Sequence, residues 1–287
     1  MLKTRRGPEL HHLTVANVPI AYADEGRGSP VLLAHCSSGN HRMWKALTGM
    51  LSPSHRVIAP DLIGYGQSGR WPEGRPYEPD ADVRVLVELA ARAGEPVHMV
   101  GHSYGAAMAL EAARLLGPGK VRGLTLIEPV SFNLLMAGGY AAEHRTVADV
   151  ARRTLAGVAA GDRRAASAAY MGFWLGPWRW WLAPQKLKTP VMETVDKVAM
   201  EFGAIESQAT DDLSPYQAMR VPTLLLYGEK TRAPAKAVVR LLADTMPLAR
   251  AAVIAGAGHM SPFTHRERVN ALILEHVREV EAVHVSV

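Results

Sequence analysis

The sequence predicts an α/β fold in which a mostly parallel, eight-stranded sheet is flanked by helices and interrupted by a helical insertion. Short, nearly continuous apolar runs recur along the 287 residues and alternate with helix-length amphipathic runs. Such apolar strands are typical of a parallel sheet covered on both faces, because parallel strands need crossovers and the crossover helices cover the faces. The strand pattern stops in one long helical stretch and then resumes, which indicates the insertion.

The predicted elements follow in chain order. Two alternating stretches, near 10–16 and 18–24, predict a leading hairpin. Six apolar runs predict the other strands, at 31–34, 57–59, 97–100, 124–127, 223–227 and 251–254. The predicted helices cover approximately 42–51, 80–93, 104–116, 234–245 and 266–282. The intervals between the later strands are therefore long enough for helical crossovers.

Residues 131–219 have helical patterns and no convincing strand. An aromatic cluster lies within them, formed by Phe173, Trp174, Trp178, Trp180 and Trp181. We therefore predict a core domain made of residues 1–130 and 220–287, with 131–219 inserted as a helical cap. The alternative, that these helices are simply more of the core, stays open.

The composition argues against a disordered, a nucleic-acid-binding or a membrane-spanning protein. A hydrophobic fraction of 48% and a charged fraction of 21% favour a large buried core over disorder. The net charge of +5 comes from scattered Lys and Arg, so we expect no nucleic-acid partner. The single cysteine excludes an internal disulfide, and no apolar run reaches the roughly 18 residues of a membrane span. We expect a cytoplasmic protein with a small-molecule substrate, and the sequence leaves its oligomeric state open.

Residues 101–105 read Gly-His-Ser-Tyr-Gly, a G-x-S-x-G pattern that lies between a predicted strand and a predicted helix. In that context the sharp turn holds the serine in a strained backbone conformation and exposes its Oγ. The N-terminus of the following helix favours the negative charge that develops during nucleophilic attack. Ser103 is therefore the candidate nucleophile, and an ordinary strand-to-helix turn is the alternative.

Three further segments stand in order around this motif. Residues 33–39 read Leu-Ala-His-Cys-Ser-Ser-Gly, residues 60–68 read Pro-Asp-Leu-Ile-Gly-Tyr-Gly-Gln-Ser, and residues 256–259 read Gly-Ala-Gly-His. They resemble the loop after the third strand, the segment after the fourth strand and the histidine loop of the α/β-hydrolase fold superfamily. The resemblance covers nearly the whole chain and implies this fold together with serine-dependent hydrolysis.

A serine hydroxyl needs a base at neutral pH. Among twelve histidines, His259 is favoured because it follows the last predicted strand and comes after the nucleophile in chain order, as this fold requires. The resemblance places the acid of the triad after the seventh strand, where this chain has Thr231. A variation within the superfamily places it after the sixth strand, at Glu128, which we favour. Glu229 is the alternative acid.

The resemblance also assigns the oxyanion hole and the pocket. Two backbone N–H groups are expected to form the oxyanion hole, those of Ser37 and of Tyr104. Cys36 replaces the usual glycine of this loop, and we interpret it as a packing residue. The candidates for the wall of an apolar substrate pocket are three tryptophans, Trp44, Trp174 and Trp178. Alternatively, the rings of the insertion form a core of their own.

The expected reaction is hydrolysis of a carboxylic ester of a small, apolar substrate through an acyl-enzyme. No metal or cofactor is expected, because the sequence has no clustered set of His, Cys and Asp ligands. Two alternatives stay open. One is hydrolysis of a carbon–carbon bond in a meta-cleavage product by the same serine and histidine, and the other is a ligand-binding protein that keeps the fold without turnover.

Overall fold

The computed structural model describes residues 10–285 and arranges eight strands of this range in one sheet. The strands are β1 (Leu10–Val15), β2 (Val18–Glu25), β3 (Pro30–Ala34), β4 (Arg56–Pro60), β5 (Val97–His102), β6 (Val121–Ile127), β7 (Thr223–Gly228) and β8 (Ala249–Ile254). Their order across the sheet is β1-β2-β4-β3-β5-β6-β7-β8. Pairings β1–β2 and β2–β4 are antiparallel and all the others are parallel, so the predicted fold class is confirmed.

Helices surround this sheet within the same range. They are α1 (Lys45–Leu51), α2 (Ala81–Ala93), α3 (Tyr104–Leu116), α4 (Ala141–Ala159), α5 (Arg163–Leu175), α6 (Pro177–Leu182), α7 (Gln185–Ser207), α8 (Ser214–Gln217), α9 (Ala233–Thr245), α10 (Ser261–Thr264) and α11 (Arg266–Val285). Short 3₁₀ turns cover His41–Trp44 and Phe132–Leu134. The predicted helix at 42–51 is thus a 3₁₀ turn in its first three residues.

The core consists of two apolar layers, one on each face of the sheet. Helices α2, α3 and α9 cover one face, and α1 and α11 cover the other. Successive side chains of a strand point to opposite faces, so Leu32 packs in the first layer and Leu33 in the second. The central strands β3 and β5 are buried along their whole length, as their continuous apolar sequence predicted. Strand β8 lies at the edge of the sheet, and its Val253 is therefore 47% exposed.

The chain between β6 and β7 is helical throughout its regular elements, from α4 to α8. Part of this segment has a small core of its own, formed by Tyr170, Met171, Trp180, Val191 and Val198. That the segment is a separate cap domain stays a prediction. No helix in the described part of the chain combines the length and the apolar character that crossing a membrane requires.

Candidate active site

Ser103 occupies a sharp turn between β5 and α3. Its backbone is at φ +55° and ψ −117°, a conformation that side-chain-bearing residues rarely adopt. The flanking glycines are required by the packing around this turn. A Cβ on Gly101 would lie 2.5 Å from the Ala106 Cα, and a Cβ on Gly105 would lie 2.3 Å from the His35 carbonyl oxygen. The turn therefore presents the serine hydroxyl at the carboxyl end of the sheet.

The structure brings Ser103, His259 and Glu128 into one chain of hydrogen bonds. His259 Nε2 lies 3.0 Å from Ser103 Oγ, and His259 Nδ1 lies 2.7 Å from Glu128 Oε2. All three side chains are buried. A carboxylate only accepts hydrogen bonds, so the imidazole donates from Nδ1 and leaves Nε2 free to accept the serine proton. This is the arrangement of a nucleophile, its general base and the group that orients the base.

Glu128 is held in place by two further donors. The Gly228 N–H lies 2.8 Å from Oε1, and the Thr231 hydroxyl lies 2.5 Å from Oε2. Burial acts to raise the pKa of Glu128, but the hydrogen bond and charge of His259, with those two donors, hold the pKa below its usual value. The carboxylate therefore stays ionised at neutral pH and is able to stabilise an imidazolium.

The two candidate acids, Glu128 and Glu229, have different partners in the structure. Glu229 is exposed, and its Oε2 accepts the Gly256 N–H at 2.8 Å, on the backbone that leads to the histidine loop. Thr231, at the position where the superfamily usually has its acid, donates to Glu128 instead. The sequence did not predict this role of Thr231, although the sequence does have a hydroxyl at the position where a carboxylate is expected.

Two aromatic side chains restrain His259. His102 Nε2 donates to the His259 carbonyl oxygen at 2.9 Å, and burial, followed by the neighbouring imidazole, lowers the pKa of His102 to about 3. The indole of Trp174, from α5, stacks on the His259 ring with centroids 3.5 Å apart and planes 13° apart. The His102 hydrogen bond thus holds the backbone of His259, and the Trp174 indole covers one face of its imidazole ring.

A cavity of about 20 Å³ lies beside Ser103. Trp174 lines it, as do Phe132 and Glu201. The two other predicted pocket residues lie elsewhere. Trp44 is only 2% exposed and packs in the core between the sheet and α1, because its 3₁₀ turn leads directly into that helix. Trp178 is 75% exposed, because it lies on the outer face of α6 beside a surface groove.

Ser37 and Tyr104 both line the same cavity. Helix α3 begins at Tyr104, so that N–H has no acceptor within the helix. The Ser37 loop is braced by His35, whose Nε2 accepts the Leu62 N–H at 2.9 Å and whose Nδ1 donates to the Cys36 carbonyl at 2.8 Å. Burial raises the pKa of Cys36 to about 12, so its side chain remains a thiol.

The sequence pattern of the alpha/beta hydrolase family matches residues 31–272. This chain belongs to the alpha/beta hydrolase family. The hydrolase is similar to 2-hydroxymuconate semialdehyde hydrolase of Pseudomonas putida, with 27% identity over 281 residues that cover 91% of each chain.

Solved structures share the fold of this hydrolase. A hydrolase from Pseudomonas aeruginosa PA01 superposes with a TM-score of 0.77 at 21% identity, covering 95% of this chain and 99% of that one. An esterase from Thermogutta terrifontis superposes with a TM-score of 0.68 at 23% identity, with the same coverage of both chains. Within residues 10–285 of the hydrolase, no three His, Cys, Asp or Glu side chains form a group suited to a metal ion.

The hydrolase is expected to lose stability steeply as the pH falls from neutral. Burial lowers the pKa of four of its histidines, His35, His98, His102 and His276. Below about pH 6.5 these histidines bind protons in the unfolded chain but stay neutral in the folded chain. Their contribution to the free energy of unfolding is therefore present above that pH and declines as the pH falls. For His102 alone, with a folded pKa of about 3, the loss between pH 7.5 and pH 5 is about 2 kcal/mol.

Urea unfolding of the hydrolase at about pH 7.5 and about pH 5 measures this loss. The substitution His98→Gln keeps a partner for Thr125, which lies 2.9 Å from His98 Nε2, and should reduce the pH dependence of the free energy of unfolding. The matched control is His12→Gln, an exposed position on β1, which should leave the pH dependence as it is. Equal pH dependence in the wild type and in His98→Gln would contradict the assignment of the effect to this buried imidazole.

Proposed function

We propose that this protein hydrolyses a carboxylic ester of a small, uncharged substrate through an acyl-enzyme on Ser103. The observation that carries the proposal is the hydrogen-bonded chain from Glu128 through His259 to Ser103. His259 Nε2 takes the hydroxyl proton while Oγ attacks the carbonyl carbon, and Glu128 stabilises the resulting imidazolium. The N–H groups of Ser37 and Tyr104 would stabilise the oxyanion of the tetrahedral intermediate.

The second half of the reaction uses the same groups. His259 returns the proton to the departing alkoxide, and the alcohol leaves. Water then loses a proton to His259 Nε2 and attacks the acyl carbonyl. The bond to Oγ breaks, His259 returns the proton to Oγ, and the carboxylic acid and free Ser103 are released.

A second candidate is hydrolysis of a carbon–carbon bond, which the relative from Pseudomonas putida supports. The substrate in that relative's name is a muconate derivative and so bears a carboxylate. A buried carboxylate needs a cation or several donors. No Lys or Arg of the described residues lines the cavity beside Ser103, where the acidic side chain is Glu201. The charge of the cavity therefore favours an uncharged ester.

The function is tested with a 4-nitrophenyl ester and a fluorophosphonate. We expect a burst of 4-nitrophenolate close to one equivalent of enzyme, and a phosphonyl adduct that mass mapping places on Ser103. Absence of both would favour the ligand-binding protein. Faster cleavage of a vinylogous diketone than of any ester would favour the carbon–carbon hydrolase.

A further inference from the structure

Helix α7 directs two charged side chains into the protein beside the cavity. Lys197 and Glu201 are four residues apart, so they share one face of the helix. Lys197 Nζ lies 3.0 Å from Glu201 Oε1 and 2.9 Å from Asp82 Oδ2, at the start of α2. Lys197 is 6% exposed, Glu201 3% and Asp82 0%. These three side chains form a buried charge cluster between α7 and the loops at the carboxyl end of the sheet.

The lysine charge is already balanced within this cluster. Asp82 accepts the Tyr77 and Tyr104 hydroxyls at 2.7 and 2.9 Å. Burial acts to raise the pKa of Asp82, but the Lys197 charge and the hydrogen bonds from Tyr77 and Lys197 hold the pKa below its usual value, so the pair is ionised. The Lys197 ammonium also faces three tyrosine rings, with centroids between 4.6 and 5.4 Å away. A substrate in the cavity therefore meets no unpaired cation here.

Glu201 is the member of the cluster that lines the cavity with Ser103. Its Oε1 accepts from the Tyr65 hydroxyl at 2.6 Å and from Lys197. Its Oε2 accepts from the Ser37 hydroxyl at 2.6 Å. Oε1 thus has two donors and Oε2 has one, so Oε2 keeps a lone pair for a further donor. Burial raises the pKa of Glu201 above its usual value, although the Lys197 charge and the hydrogen bonds from Ser37, Tyr65 and Lys197 favour the ionised form. The cluster carries a charge of −1 when Glu201 is ionised and zero when it is protonated.

We propose that Glu201 forms a polar substrate subsite that accepts a hydrogen bond from a hydroxyl or amide N–H and excludes carboxylates. The ligand class rests on the proposed ester hydrolysis. A neutral donor satisfies the remaining lone pair of Oε2 and keeps the three existing contacts of the carboxylate. A substrate carboxylate loses its water on entry and is repelled by Glu201, and no free cation offsets the repulsion, since Lys197 is paired with Asp82.

Binding of three phenylboronic acids tests the subsite without turnover. They differ only in a meta substituent, which is methyl, hydroxymethyl or carboxylate, and each forms a tetrahedral adduct with an activated serine. By calorimetry we expect the hydroxymethyl compound to bind about 10-fold more tightly than the methyl compound. The carboxylate should bind more weakly than the methyl compound by on the order of 100-fold. The same substituents on the ring of methyl benzoate, which lies on the acyl side as the ring of the boronate does, should rank kcat/KM in the same order.

The substitution Glu201→Gln should reduce the discrimination against the carboxylate by about 10-fold, because it removes the negative charge and keeps the shape. The matched control is Glu193→Gln, an exposed position on the same helix, which should leave all three ratios unchanged. Equal Kd values across the wild-type series would overturn the subsite, and this comparison needs no variant. If the boronic acids show the expected ranking and no ester is hydrolysed, the ester proposal fails and the subsite stands.

Discussion

Ser103→Ala is expected to lower kcat/KM for a 4-nitrophenyl ester by about 10⁵-fold or more, because the nucleophile of a triad acts as a unit with its base. The residual activity would come from the cavity and the oxyanion hole. The substitution removes one hydroxyl from a buried turn and keeps the Cβ, so the free energy of unfolding should change little. Steady-state kinetics and urea unfolding of the same preparations measure both quantities.

The matched control for this variant is Ser54→Ala, at an exposed position in the turn after α1, which should retain full activity. The competing nucleophile is Cys36, in the loop after the carboxyl end of β3. Its raised pKa argues against a thiolate. Activity that survives in Ser103→Ala and disappears in Cys36→Ser would show that the thiol attacks.

Local sequence patterns were sufficient for the elbow and its surroundings. The apolar run of β5, the two glycines and the start of α3 are neighbours in the chain, so their pattern already implies a strained turn at Ser103. The approach of Glu128 to His259 depends on distant strands. The sequence indicated Glu128 only through the resemblance to the superfamily. In the structure β6, β7 and β8 are neighbouring parallel strands that end at one edge of the sheet, which places the residue after β6 near the loop after β8.

The contacts between α7 and the core could not be predicted from local sequence patterns. Lys197 and Glu201 have the spacing of a solvent-exposed helical ion pair, and Asp82 lies 115 residues away from Lys197. Only the packing of α7 over the loops after β3 and β4 buries them together. The tryptophans show the same limit, because hydrophobicity alone does not tell whether a ring faces the core like Trp44, the cavity like Trp174 or solvent like Trp178.

Glu128→Gln is expected to lower kcat by about 10⁴-fold. The amide can donate to His259 Nδ1, which then leaves the proton on Nε2, and a protonated Nε2 does not accept from Ser103. The control is Glu229→Gln, whose carboxylate contacts the Gly256 N–H and not the imidazole; it should retain kcat within a few-fold. The opposite ranking of these two variants would show that Glu229 is the acid.

A second substitution separates loss of charge from loss of structure. Glu128→Gln also weakens the acceptors of Gly228 and Thr231, at an expected cost of about 1–3 kcal/mol, so kcat must be compared on folded protein. Thr231→Asp in the same chain places a carboxylate where the superfamily usually has its acid. Because the Thr231 hydroxyl lies 2.5 Å from the oxygen that binds His259, this carboxylate should restore a large part of kcat. Failure of that rescue in a folded double variant would mean that His259 requires the acid at the end of β6, in the geometry that Glu128 provides.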